Sequence, residues 1–160
     1  CPMRSEMNLW LPENALPGAA IHPNPQPGWG EERQSMFSHI MLGATDLAAS
    51  KKFYDAALGA LGIGPGHQDD KGRVFYMTDT GIFAISTPIN GEPACGANGG
   101  TIGFNVASPE QGDAWHAAGV ANGGTTCEDP PGIRESEMGK MYLAYLRDPS
   151  GNKICALKRM

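Results

Sequence analysis

A histidine, a cysteine and three tyrosines are the side chains of this sequence best placed to do chemistry. His39 stands in the short run "SHIMLG", directly before an amphipathic segment, where an imidazole can ligate a metal ion or hydrogen-bond to a ligand. Cys155 stands in the alternating run "NKICALKR". Because the sequence shows no basic partner for this thiol, the pattern favours a small buried side chain over a reactive nucleophile.

The three tyrosines, Tyr76, Tyr142 and Tyr145, lie in strand-like runs. Aromatic side chains in strands can line a ligand pocket, although they also serve simply for packing. The sequence does not decide which of the three faces a pocket, because a shift of one residue in register moves a side chain to the other face.

The composition of the 160 residues favours one domain and excludes several classes of partner. With 41% hydrophobic residues, the chain can bury a core of its own. A net charge of −5 and the absence of a Lys/Arg run argue against a nucleic-acid partner. No apolar run approaches the roughly 20 residues of a membrane helix. We therefore expect no membrane partner. The four cysteines form no C-x-x-C pair, so we expect a cytoplasmic protein with free thiols.

Residues 1–35 differ from the rest of the chain. They hold six of the thirteen prolines and show neither helix nor strand periodicity. We interpret them as a Pro-rich N-terminal extension or tail, followed by a domain over residues 36–160.

Within that domain the same pattern occurs twice, in a first module over residues 36–90 and a second over 99–160. Each module opens with a strand, "SHIMLGAT" or "GTIGFNVAS", and continues with a helix that Asp46 or Thr45 caps in the first module and Ser108 in the second. Each ends with two strand-like runs joined by a tight turn. We predict an α+β fold of two tandem βαβββ modules, forming a curved mixed sheet around a central cavity with the helices outside.

Alternation along the strands predicts which side chains face that cavity. Ile40 and Leu42 should lie under the helices, so that His39 and Met41 face the opposite way. The same reasoning, applied to the counterpart strands and joined with the three tyrosines, gives the predicted ligand-binding residues. They are His39, Met41, Tyr76, Thr101, Asn105, Tyr142, Tyr145 and Cys155.

Four motifs of the doubled pattern resemble the vicinal oxygen chelate superfamily, which includes glyoxalase I, extradiol dioxygenases and the bleomycin and fosfomycin resistance proteins. The motifs are "H-I-x-L", "D-L-x-x-S-x-x-F-Y-x-x-x-L-G", "I-G-F-x-V" and "Y-L-R-D-P-S-G-N-K-I", within residues 36–158. The resemblance implies the two-module fold and a homodimer. It does not fix a reaction, because one scaffold hosts many activities.

The resemblance also implies four metal-ligand positions, which fall here on His39, Ala84, Thr101 and Cys155. Only His39 is a usual ligand at its position, whereas a catalytic zinc needs about three protein ligands. We therefore expect no cofactor. The alternative is a divalent metal, Zn, Ni, Mn or Fe, held by His39 with ligands from other positions.

Three functions are compatible with these observations. The preferred one is a small-molecule-binding protein of the glyoxalase/bleomycin-resistance type with an eroded metal site. The first alternative is a metal-dependent, glyoxalase-like lyase or isomerase with non-standard ligands, so whether the protein is an enzyme stays open. The second alternative is a structural or regulatory dimer module, in which the cavity should be filled.

Overall fold

The computed structural model describes residues 37–137 and 139–160, apart from the side chain of Ser136. The predicted N-terminal tail lies outside these described residues. The first module contains β1 (His39–Gly43), α1 (Leu47–Gly59), β2 (His67–Gln68), β3 (Val74–Thr78) and β4 (Gly81–Ser86). The second contains β5 (Ile102–Asn105), α2 (Pro109–Ala121), β6 (Thr125–Thr126), β7 (Gly132–Ser136), β8 (Gly139–Arg147) and β9 (Lys153–Arg159).

The strands form two mixed sheets, one in each module. The first has the order β1-β4-β3-β2, and the second has the order β5-β9-β8-β6 with β7 also paired to β8. In each sheet the opening strand runs parallel to the closing strand, β1 to β4 and β5 to β9, and the other pairs are antiparallel. The predicted α+β fold with two modules is confirmed, and β7 gives the second sheet a fifth strand.

Both helices begin at the residues whose side chains can cap them. The Asp46 carboxylate accepts a hydrogen bond from the Ala49 N–H at 2.9 Å, and the Ser108 hydroxyl accepts one from the Gln111 N–H at 3.2 Å. These bonds satisfy N–H groups that a helix leaves without internal partners in its first turn. Neither helix in the described part of the chain is long and apolar enough to span a membrane.

The hydrophobic core lies between the helices and the sheets. It includes Phe53, Tyr54 and Leu58 of α1, Trp115 of α2, and Phe83, Ile85, Ile154 and Ala156 of the closing strands. Two glycines let α2 approach closely. A Cβ atom would lie 2.1 Å from the ring of Tyr142 at Gly112, and 2.4 Å from Leu146 at Gly119.

A buried polar network joins the two modules. The Asp148 carboxylate, in a residue 4% exposed, accepts hydrogen bonds from the Tyr54 hydroxyl at 2.8 Å, the Asn152 side-chain amide at 2.8 Å and the backbone N–H groups of Ser150 and Asn152 at 2.9 Å. The Asn152 amide also donates to the Gly43 carbonyl at 2.9 Å. Burial and the adjacent carboxylate raise the pKa of Tyr54 well above its ordinary value. The network therefore holds the β8–β9 turn of the second module against α1 and β1 of the first.

Candidate functional site

The side of each sheet that faces away from the helices is its open face. In the first sheet, the register places His39, Ile82 and Met77 in one row across β1, β4 and β3. The imidazole of His39 is exposed, and its Nδ1 lies 3.0 Å from the Ser38 hydroxyl. Met41 is 40% exposed on the same strand, so both side chains lie on the face of the sheet away from the helices.

The open face of the second sheet carries Tyr145 and Cys155, which are register partners on β8 and β9. The Lys153 ammonium lies 4.9 Å from the centre of the Tyr145 ring, and Lys153 also pairs with Glu128. Cys155 is buried, as its pattern predicts, with 6% exposure. Burial raises the pKa of its thiol although Lys153 opposes the shift, so ionisation is disfavoured and the thiol is a poor nucleophile.

Tyr76 and Tyr142 lie on the other side, under the helices. Both are buried, the Tyr76 hydroxyl donating to Asp55 at 2.9 Å and the Tyr142 hydroxyl donating to Asp113 at 2.8 Å. Burial first, and then the bonded carboxylate, raises the pKa of each tyrosine. Of the three predicted tyrosines, only Tyr145 therefore shares the open face with Cys155.

A cavity of about 340 Å³ lies at the junction of the two modules. Its walls come from the end of α1 and the following loop, from the β3–β4 turn, and from β1, β4 and β5. The apolar side chains that line it are Phe37, Ile40, Leu58, Leu61, Ile63, Ile82, Phe83, Ile102 and Phe104. The polar side chains that line it are His39, Tyr76, Thr78, Thr80 and Asn105. Phe83 and Phe104 meet edge to face across the junction, with their ring centres 5.3 Å apart.

The cavity brings together three of the eight predicted ligand-binding residues, His39, Tyr76 and Asn105. The other five, Met41, Thr101, Tyr142, Tyr145 and Cys155, are not among its lining residues. Thr101 is exposed immediately before the lining residue Ile102, whereas Tyr142 is separated from the cavity by its place under α2.

The polar lining groups differ in their availability to a ligand. The Thr78 hydroxyl donates to the Gly81 carbonyl at 3.0 Å and so stabilises the β3–β4 turn, and the Tyr76 hydroxyl is bound to Asp55. No described residue forms a hydrogen bond with the Asn105 side chain, which is exposed. Asn105 and His39 are therefore the side chains best able to orient a bound molecule.

The four positions implied by the family resemblance do not supply a metal-binding donor set. Ala84 offers no donor atom, Thr101 offers a hydroxyl, and the Cys155 thiol is buried with a raised pKa. Within residues 37–137 and 139–160, no three His, Cys, Asp or Glu side chains are grouped so that they could hold a metal ion. The residues present therefore do not fit a catalytic metal at this place.

A second depression, of about 750 Å³, follows the outer side of α1 and includes Leu47, Lys52 and Gln68. Two of its three charged side chains are paired with each other, since the Lys51 ammonium and the Asp55 carboxylate lie 2.6 Å apart. It contains none of the predicted ligand-binding residues, and we regard the cavity at the junction as the candidate site.

Known proteins share the sequence pattern and the fold of this chain. The sequence model of the Glyoxalase/Bleomycin resistance protein/Dioxygenase superfamily matches residues 36–156. A crystal structure of a glyoxalase/bleomycin resistance protein from Albidiferax ferrireducens T118 is 66% identical, with a TM-score of 0.75, and the match covers 78% of this chain and 100% of that one. The chain belongs to the glyoxalase/bleomycin resistance/dioxygenase superfamily.

More distant solved structures share the fold. A glyoxalase-related enzyme from Fulvimarina pelagi is 20% identical with a TM-score of 0.60, over 78% of this chain and 88% of that one. Lactoylglutathione lyase from Agrobacterium tumefaciens is 23% identical with a TM-score of 0.55, over 78% and 93%. The comparison with curated proteins gives no significant match.

Proposed function

We propose that this protein binds a small organic molecule in the cavity between its two modules and does so without a metal ion. The observation that carries the proposal is the cavity itself. Its volume of about 340 Å³ falls in the range of small-ligand pockets, and its apolar walls surround a few polar side chains.

Recognition would combine apolar burial with a few directed hydrogen bonds. Each Å² of apolar surface removed from water contributes roughly 25 cal/mol, which Leu61, Ile102 and Phe104 would supply to a ligand body. His39 and Asn105 would fix its orientation. Thr101, Met41, Tyr145 and Cys155 would need a ligand that extends beyond the cavity onto the open faces.

The donor set favours this function over a metal-dependent lyase. A glyoxalase-like reaction would need ligands besides His39, and the described residues offer no group of three. The two relatives described above as enzymes are 20% and 23% identical, so their likeness shows the fold alone. The three described cysteines, Cys95, Cys127 and Cys155, form no disulfide, which supports the proposed cytoplasmic location.

The test is fluorescence titration of the full chain with the neutral dye N-phenylnaphthylamine, comparing His39→Ala with the parent protein. Because His39→Ala loses one hydrogen bond, worth about 1 kcal/mol, its dissociation constant should be roughly fivefold higher. The control is His67→Ala, because His67 is also exposed but does not line the cavity. Equal affinity in both variants would remove His39 from the site.

A homodimer is a second proposal, favoured by one observation. The open face of the first sheet exposes apolar side chains, with Met77 at 64%, Met41 at 40% and Ile82 at 36%. A purely structural dimer module predicts a filled cavity, and the open cavity at the junction argues against that version. Sedimentation velocity of Met77→Glu should show more monomer than the parent, whereas Met160→Glu, at the 61% exposed C-terminus, should not.

A further inference from the structure

Among the described residues, the lining of the cavity contains no aspartate, glutamate, lysine or arginine. All sixteen described residues that line it are apolar residues, glycines, threonines, a tyrosine, a histidine or an asparagine. The chain as a whole carries 12 basic and 17 acidic residues. These four residue types are therefore missing from the described cavity lining although they are frequent in the chain.

The charged groups on neighbouring elements do not compensate. Asp55, behind the Tyr76 ring, is held by the Lys51 ammonium, the Gly66 N–H and the Tyr76 hydroxyl. Asp79, in the β3–β4 turn, lies between the lining residues Thr78 and Thr80 and would repel an anion. On the second sheet, Lys153 pairs with Glu128.

An anion that packs between the apolar walls would lose part of its hydration and would meet no lysine or arginine among the described lining residues. Burial of an ionised carboxylate, sulfonate or phosphate is strongly unfavourable unless an opposite charge and hydrogen bonds replace the lost hydration. An uncharged polar group has a much smaller demand, which the His39 imidazole and the Asn105 amide can meet with a hydrogen bond each.

We infer that the cavity selects uncharged, mainly apolar molecules and rejects anionic ones of the same shape. This inference rests on the proposed function, since it specifies the class of molecule that the same cavity binds.

Two dyes that differ by one sulfonate provide the test, N-phenylnaphthylamine and anilinonaphthalenesulfonate. Titration of the full chain should give a dissociation constant at least about thirtyfold lower for the neutral dye. Equal or tighter binding of the sulfonate would overturn the inference while leaving the cavity as a binding site. Failure of both dyes to bind would overturn the proposed function and the inference with it.

Charge variants separate the cavity from the general preference of neutral dyes for protein surfaces. Ile82→Lys places an ammonium on a 36% exposed lining residue and should reduce the ratio of the two constants at least about tenfold. Thr80→Lys, in the exposed turn, is a second variant for the same test. Ile89→Lys, fully exposed and outside the cavity, should leave the ratio unchanged. An unchanged ratio in both lining variants, each still folded by circular dichroism, would overturn the inference.

A filling variant shows where the neutral dye binds. Ile102→Trp adds bulk to the cavity wall and should weaken dye binding at least about tenfold, while Ile133→Trp, on the exposed side of β7, should not. Unchanged binding in Ile102→Trp would mean that the dye binds elsewhere. That result would refute the proposed function irrespective of the charge ratio.

Discussion

Replacement of Asp148 by alanine should be among the most destabilising substitutions in the described chain. The carboxylate accepts four hydrogen bonds within the buried network between the modules, from the Tyr54 hydroxyl, the Asn152 amide and two backbone N–H groups. Removing it would leave the buried Tyr54 hydroxyl without its acceptor and would release the turn that holds Gly43 through Asn152.

The magnitude follows from the number and burial of these bonds. A hydrogen bond to a charged group contributes about 1.5–3 kcal/mol, and a buried donor left unsatisfied costs a comparable amount. Because the four bonds share one acceptor, their energies are not additive, and we expect a total loss of about 3–5 kcal/mol. Tyr54→Phe, which removes one donor and leaves the carboxylate three others, should cost about 1–2 kcal/mol.

Urea denaturation of the two single variants and the double variant measures these values as a cycle. Once Asp148 is absent, removal of the Tyr54 hydroxyl should cost little, so the double variant should be less destabilised than the sum by about 1 kcal/mol or more. Asp148→Asn is the volume-matched variant and should cost less than Asp148→Ala, because its amide oxygen can still accept from the Ser150 and Asn152 N–H groups, while its NH2 group replaces only the oxygen that accepts from Tyr54 and the Asn152 amide. A loss below about 1 kcal/mol for Asp148→Ala, with additive single effects, would refute this account of the junction.

Three further predictions concern packing and pH. Gly112→Ala should lower the free energy of unfolding by at least about 2 kcal/mol, because its Cβ would lie 2.1 Å from the Tyr142 ring. Gly59→Ala, whose Cβ would have no neighbour within 4 Å, should be neutral or slightly stabilising. Equal thermal midpoints for the two variants would contradict this. Partial burial alone would raise the pKa of Asp55, but hydrogen bonds from Lys51, Gly66 and Tyr76 lower it. The contribution of Asp55 to stability is therefore present above its ordinary pKa of 3.8 and is lost as the pH falls below that value. Asp55→Asn should reduce the loss of stability at acidic pH in urea denaturation, and an unchanged loss would contradict this role. Burial lowers the pKa of His116 from 6.5, so the folded state should lose stability as the pH falls below that value. His116→Gln should remove this dependence of the free energy of unfolding on pH. If the dependence persists in the variant, another group causes it.

The fold follows from the sequence because its signals are periodic and repeated. A change from period two to a helical period, with Asp46 and Ser108 at the caps, occurs in the same order in both modules. His39 and Asn105 could be placed near the cavity because each lies in a short strand next to a helix whose apolar face fixes the orientation.

The rest of the site depends on features without a period. Tyr142 and Tyr145 are three residues apart on β8, so they point to opposite faces, and only the register with β9 decides which one faces the helices. Leu61, Ile63 and Thr80 come from a loop and a turn, where no alternation marks the inward side. The polar "TDTG" turn is the local signal that could have drawn attention to Thr80.

The network at Asp148 shows the same limit for long-range contacts. The sequence contains Asp148 within a recognisable turn motif, and its contacts with Ser150 and Asn152 are local. Its partner Tyr54 is 94 residues away, and nothing in the spacing of the chain connects the two. The tertiary structure is needed to show that this carboxylate joins the modules.

His116 lies on α2 and is less exposed than a polar residue on a helix surface usually is. It is partly buried, and its Nε2 lies 3.4 Å from the Thr126 hydroxyl, so α2 and β6 enclose it. Burial lowers its pKa, which the neighbouring Asp113 only partly opposes. Its exposure could not be read from the helix alone because the short strand β6 gives a weak sequence signal.

Ligand binding without a metal ion can be tested by one titration performed on two samples. The full chain is titrated with N-phenylnaphthylamine before and after chelator treatment, and the metal content of both samples is measured by plasma mass spectrometry. If the cavity binds its ligand without a metal ion, the dissociation constant should be the same in both samples, within about twofold, and neither sample should contain near-stoichiometric metal. Near-stoichiometric zinc, nickel, manganese or iron that is absent from His39→Ala, together with dye binding lost on chelation and restored by that metal, would contradict binding without a metal ion.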